Sequence, residues 1–237
     1  MTPFELGEVS NKSLHLLEHE FIRDGVIPVD QLQKAFIYLH VRTISGLMDD
    51  ILFLESYPKT TVARCAVRPM MESLFNMGAA IRDESFVFNK VAWEIDRWIS
   101  IQESMAEETH IATDAEKLKK LAANGKVELT EFRKTHTVDK LENWNQIYKI
   151  AEIAKLKKVY DHYYSLACHH VHSNLVGILS YDSTSRGMTM RSATMIVAWA
   201  IQFAGSYINP SKREDYDKLA GGYIAILEKL SVDGSYE

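Results

Sequence analysis

Apolar residues in this 237-residue chain recur every three or four positions, and no stretch alternates apolar with polar over a strand's length. Three-and-four spacing lays side chains along one side of an α-helix, whereas a strand needs a period of two. The chain is therefore expected to be all-α, a multi-helix bundle of about seven to nine helices. Leu14, Leu17 and Phe21 mark a first helix over about 4–24, and Leu32, Phe36, Leu39, Ile44, Leu47 and Ile51 a second over about 29–56. Further helices are read at about 60–83, 85–108, 139–153, 155–179, 189–208 and 211–231. Pro28, Pro58 and Pro210 fall between them, as helix breakers should. Pro69 lies inside the third and is expected to kink it or mark its start. Ser183–Gly187 reads as a turn, and Trp93 and Trp98 as core.

One region breaks the pattern. Asp114–Ala123 is short and charged, Asn124-Gly125 reads as its stop, and residues 126–138 are polar and irregular. The expectation is one helical domain over residues 1–237 with a flexible polar insertion at 109–138. Composition adds exclusions. Twenty-seven Lys and Arg against 32 Asp and Glu give a net charge of −5, so no global field draws the chain to nucleic acid. Cys65 and Cys168 are far apart and form no zinc-binding pair. The N-terminal residues lack the features of a signal peptide, and the most apolar run, Met195–Ala204, is too short to span a bilayer. A cytoplasmic protein without a membrane partner is expected.

Tyr160–Asn174, YDHYYSLACHHVHSN, concentrates tyrosine and histidine on one expected helix. At helical spacing Asp161, Ser165, His169 and His172 share a polar side, and Tyr160, Tyr163 and Tyr164 gather opposite. Three arrangements fit this pattern. The stripe is an inert polar seam, or a proton-transfer site in which a carboxylate fixes an imidazole tautomer, or a metal site using His169 and His172. Neither His-Glu-x-x-His nor paired Glu-x-x-His helices are present, and the reading carried forward contains no metal and no cofactor. No Gly-x-Ser-x-Gly elbow supports a serine hydrolase. The two Lys-Leu-Lys-Lys runs, at 117–120 and 155–158, read as solvated helix faces, with phosphate-backbone contact as the alternative.

Arg68 and Glu72 stand four apart on a helix that is otherwise apolar, among Val67, Met70, Met71, Leu74 and Phe75. A charge in such company is paired or functional, because lone burial is costly. Arg68…Glu72, followed by Tyr160-x-x-x-Tyr164 and His172, with Trp144 and Ala151 upstream, resembles a bacterial all-α family of unknown function over roughly residues 35–205. Pro69 and Cys168 stand where that family has serine. The family is distantly similar to HEPN-type helical proteins, many of them dimeric, metal-independent ribonucleases of toxin–antitoxin and anti-phage systems. The Arg-x(4–6)-His signature of those enzymes is absent, Lys157-x(4)-His162 being the nearest spacing.

The resemblance implies that the arginine helix and the histidine helix pack together. Arg68, Glu72, His172, His169, Tyr160 and Tyr164 then form the candidate catalytic set. Arg68 stabilises phosphoryl charge, His172 serves as acid or base, and a tyrosine hydroxyl donates. The implied function is a defence or toxin-like effector acting on RNA, with a homodimer as its form. The alternative is a non-catalytic helical module that binds a protein partner of a multi-gene system.

Overall fold

The computed structural model describes residues 1–22, 31–56, 60–164 and 184–232. Among them every regular element is helical and there is no strand. The helices are α1 (Pro3–Phe21), α2 (Leu32–Glu55), α3 (Thr60–Arg82), α4 (Glu84–Glu108), α5 (Ala112–Thr135), α6 (Ile147–Ile153), α7 (Lys157–Val159), α8 (Thr184–Ile208) and α9 (Arg213–Val232). A π-helical turn, Tyr160–Tyr164, continues α7, and a 3₁₀ turn, Pro210–Lys212, precedes α9. The expected multi-helix bundle is what the chain forms.

The chain divides into two compact units, one of Met1–Arg82 with Ile147–Glu237 and one of Asp83–Gln146. In the larger, α2 packs on α1, α3 and α8, and α8 also packs on α1, α3 and α9. Local sequence starts the elements. Thr2 caps α1 reciprocally with Glu5, its Oγ1 accepting from the Glu5 N–H at 3.2 Å while its own N–H donates to Glu5 Oε2 at 2.8 Å. Pro3 follows at the first turn, where its missing N–H has no partner to lose. On α2 the buried stripe is Ile37, Val41, Ile44, Met48 and Ile51, spaced four, three, four, three. The sequence-based stripe was therefore partly out of phase: Ile44 and Ile51 are buried, but Leu39 is 56% exposed. Apolar residues occur on both sides of this helix, and only its neighbours decide which side is covered.

Helix α3 carries the densest core, with Val67, Met70, Met71, Leu74, Phe75 and Met77 buried. Pro69 sits inside it and is neither its start nor its end. Small residues bring α6 close to α3: a Cβ on Gly78 would lie 3.1 Å from the Ala154 Cβ. Helix α6 ends where Lys155 takes a left-handed φ of 57° and the Leu156 N–H closes back on the Ala151 carbonyl at 2.8 Å. Just beyond, α7 and the π turn deliver Tyr160 and Tyr164 toward α3.

The smaller unit is built on an α4–α5 hairpin. Its core is Ala92, Ile99, Ala122, Leu129 and Val138, flanked by Phe88, Ile95, Phe132 and Leu141. Three expectations fail here. Asn124-Gly125 does not end a helix, because α5 runs unbroken to Thr135. A Cβ on Gly125 would lie 2.9 Å from Ile99 Cγ1, so the glycine serves a close helix crossing rather than a stop. The real stop is Thr137, at φ 54°, with the Val138 N–H donating to the Arg133 carbonyl at 2.9 Å. The helix expected from Asp139 starts only at Ile147, since the Asn143 side chain accepts from the Asn145 N–H at 2.9 Å and holds a turn. Trp98, expected in the core, is 61% exposed, whereas Trp144 is buried edge-on against Phe86 at 5.0 Å. In the larger unit, Ser183–Gly187 is likewise not a turn throughout, because α8 begins at Thr184.

Candidate functional site

Two polar side chains of the larger unit, Arg68 and Tyr164, converge on one carboxylate oxygen of Glu72. Arg68 Nε donates to Glu72 Oε1 at 2.9 Å and to the Tyr164 hydroxyl oxygen at 3.2 Å. The Tyr164 hydroxyl in turn donates to the same Glu72 Oε1 at 2.6 Å. The arginine–glutamate part follows from spacing, since residues four apart share one helix face. The tyrosine arrives from 92 residues along the chain, carried on the π turn. Insertions of this kind inside helices re-aim side chains and recur at functional sites.

The aromatic base of the site is as specific as its polar rim. Phe75, on the same face of α3 as Arg68 and Glu72, lies 6.3 Å from the Tyr160 ring and 6.0 Å from the Tyr164 ring. The two tyrosines stack at 5.0 Å with 20° between their planes. Arg68 adds its cation to the Tyr164 ring, with Cζ 5.7 Å from the centroid. Tyr164 is buried, while the Arg68 and Glu72 side chains keep 27% and 30% of their surface. The site thus has a buried floor and an open rim.

Burial alone pulls the Arg68 pKa down, but the hydrogen bonds to Glu72 and Tyr164 outweigh it, and the guanidinium is held more firmly protonated than a free arginine. Its positive charge is fixed at every accessible pH. Asp161, on the same π turn, bonds to a lysine. It is exposed and accepts from Lys157 Nζ at 2.8 Å, a contact that raises the lysine pKa chiefly through that hydrogen bond. His162 Nδ1 lies 2.7 Å from the Lys158 carbonyl oxygen.

Of the six candidate residues, the fold brings Arg68, Glu72, Tyr160 and Tyr164 together. His169 and His172 lie outside the described residues, as do Ser165 and Cys168. Sequence reasoning missed Phe75, although its place three residues beyond Glu72 on the same apolar face was a usable signal. It also missed a polar joint between α1 and α2. There Asp49 accepts from Asn11 Nδ2 at 2.7 Å and meets His15 Nε2 at 3.0 Å, while Ser45 Oγ donates to Glu18 at 3.1 Å. Asn11, His15 and Glu18 fall at helical spacing, which was the clue. Among the described residues no group of three or more His, Cys, Asp or Glu is placed to hold a metal ion. No helix among them is long and apolar enough to cross a membrane.

Residues 33–188 match DUF5677, a family of unknown function. The chain belongs to this family. The matched span of DUF5677 holds all of α3, the π turn and every residue of the candidate set, including His169 and His172. Helices α1 and α9 fall outside it. No curated protein and no solved structure matches the chain.

Proposed function

We propose that the protein is a defence or toxin-like effector that cleaves RNA without a metal at the Arg68–Glu72–Tyr164 cluster, with His172 as the proton-transfer group. The observation that carries this reading is the fixed arginine. Its Nε is tied by a carboxylate and a phenol at 2.9 and 3.2 Å, yet 27% of its side chain stays exposed. Anchoring a guanidinium this way aims a planar cation at an anion before the anion arrives, and preorganised charge stabilises a phosphoryl transition state. The histidines are close in chain terms, since His169 is five and His172 eight residues beyond Tyr164. In the proposed reaction His172 removes the ribose 2′-hydroxyl proton and the 2′-oxygen attacks phosphorus. The 5′-oxygen leaves with a proton from a tyrosine hydroxyl, giving a 2′,3′-cyclic phosphate and a 5′-hydroxyl. The resemblance to HEPN-type proteins supports the substrate class.

A second reading has its own support. Arg68, Glu72 and Tyr164 bond to one another, which suits a register lock in a non-catalytic module that binds a protein partner. Purified protein incubated with total RNA in a chelator separates the two. The effector reading expects cleavage with cyclic-phosphate ends, arrest of growth on induction, and a loss of at least about 100-fold in both Arg68→Ala and His172→Ala with folding intact. Intact RNA under wild-type protein, or cleavage by both variants at the wild-type rate, sinks it. The module reading expects Arg68→Ala to lower the melting temperature and leave no activity to lose.

A further inference from the structure

A cavity of about 620 Å³ opens elsewhere in the larger unit, where the end of α3 meets the C-terminal part of α8 and the start of α9. Its size lies within the range of small-molecule sites. Arg82, Phe203 and Arg213 give it chemical character, with Gln202 and Ser206 as polar wall. Arg82 is exposed at the last position of α3, with its guanidinium carbon 5.3 Å from the centre of the Phe203 ring. It makes no ion pair among the described residues. A guanidinium lying over a ring leaves its in-plane N–H edges directed outward, the geometry that grips a phosphate or carboxylate two-pronged.

Arg213 lines the cavity from α9. Its Nε is 3.8 Å from Asp217 Oδ2, a loose contact with 74% of the arginine side chain exposed. Asp217 is the only acidic residue of the lining, and Gln202 Nε2 holds it at 3.0 Å. Two guanidiniums against one carboxylate leave the cavity net positive in a chain whose overall charge is −5. Phe203, Ile81 and Pro210 supply apolar wall beside that charge. Positive edge donors next to a flat apolar surface suit a ligand that is itself half anion and half ring.

We propose that this cavity binds a small anion bearing a planar ring, the chemistry of a mononucleotide, with Arg82 and Arg213 on the phosphate and the Phe203 side against the ring. The site shares no residue with the Arg68 cluster and does not depend on the RNA reading.

Calorimetric titration of the full chain with adenosine monophosphate, adenosine and inorganic phosphate, each separately, tests it. The monophosphate is expected to saturate, with adenosine and phosphate each at least about tenfold weaker. Arg82→Ala is expected to weaken the monophosphate about tenfold or more without changing the melting temperature, since the residue is exposed. Arg82→Lys keeps the charge but loses the fork, and is expected to recover only part of the binding. Arg68→Ala is expected to bind as the wild type does. No saturation by the monophosphate up to about 5 mM overturns the proposal. So does phosphate binding as tightly as the monophosphate, or indifference to both Arg82→Ala and Arg213→Ala.

Discussion

The two units solve the same problem with unequal means. In the larger, α3 alone buries Val67, Met70, Met71, Leu74, Phe75 and Met77, and α2 presses a five-residue stripe against its neighbours. In the smaller, α5 is 24 residues long yet buries only Ala122 and Leu129. Most helical stability in proteins comes from packing of an apolar face rather than from propensity, so these helices are held with different strength. The candidate site sits where burial is deepest. A cation, a carboxylate and a phenol can be kept within 3.2 Å of one another only if their backbones are over-determined by the core behind them. Phe75 does both jobs, fully buried in the core and packed under the two tyrosines.

The largest effect is expected from truncating that core. Leu74 is fully buried on α3, and Leu74→Ala should destabilise the chain by about 2–5 kcal/mol, read as a shift of the denaturation midpoint. A shift under ~1 kcal/mol would mean the packing around α3 is looser than its burial implies. Next comes Ile99→Ala in the hairpin, where Ile99 contacts the backbone surface of α5 at Gly125. A smaller loss of about 1–3 kcal/mol is expected, and it should be local. Hydrogen exchange should rise along α4 and α5 while α2 and α3 keep their protection. Uniform loss of protection across the chain would show one cooperative block and remove the contrast.

The contrast also explains which features the sequence disclosed. The Arg68–Glu72 pair was legible because its geometry is local: four residues on a helix fix the distance whatever else happens. Tyr164 was legible only as part of an ordered motif, and its donation to Glu72 depends on a π turn that no periodicity announces. The phase of α2 was half legible, since Leu39 and Ile44 look alike until a neighbour covers one of them. Gly125 was misread because a glycine at a helix crossing and a glycine at a helix stop have the same local sequence, and Ile99 on another helix makes the difference. Trp98 failed for the same reason: size and apolarity say that a residue prefers burial, not that a surface exists to bury it. The meeting of Arg82 with Phe203 and the α8–α9 junction was invisible because α3 is far from that junction in sequence.

The smallest expected effect probes the edge of the larger unit. Tyr216 on α9 lays its ring against Gly205 of α8, where a Cβ would come within 2.5 Å of the ring, and its hydroxyl donates to Glu20 at 3.0 Å. Burial first, and then the bond to Glu20, push its pKa up to about 12 from the usual 10. The folded state therefore keeps this proton where the unfolded chain has already lost it. The stabilisation is fully present below about pH 10 and disappears as pH rises through about 12. Tyr216→Phe removes the bond without removing the ring, and at neutral pH it should cost under about 1 kcal/mol, because the glutamate partner is exposed. The informative quantity is the stability difference between wild type and Tyr216→Phe. That difference should fall and change sign between pH 10 and 12, where the unfolded chain has lost the proton and the folded chain still holds it, and level off above about 12 as the ionised phenol comes to face the Glu20 carboxylate. A difference that stays flat across the window would mean that the α9 edge yields to solvent before the proton leaves, and that the periphery of the larger unit is held no more firmly than the hairpin.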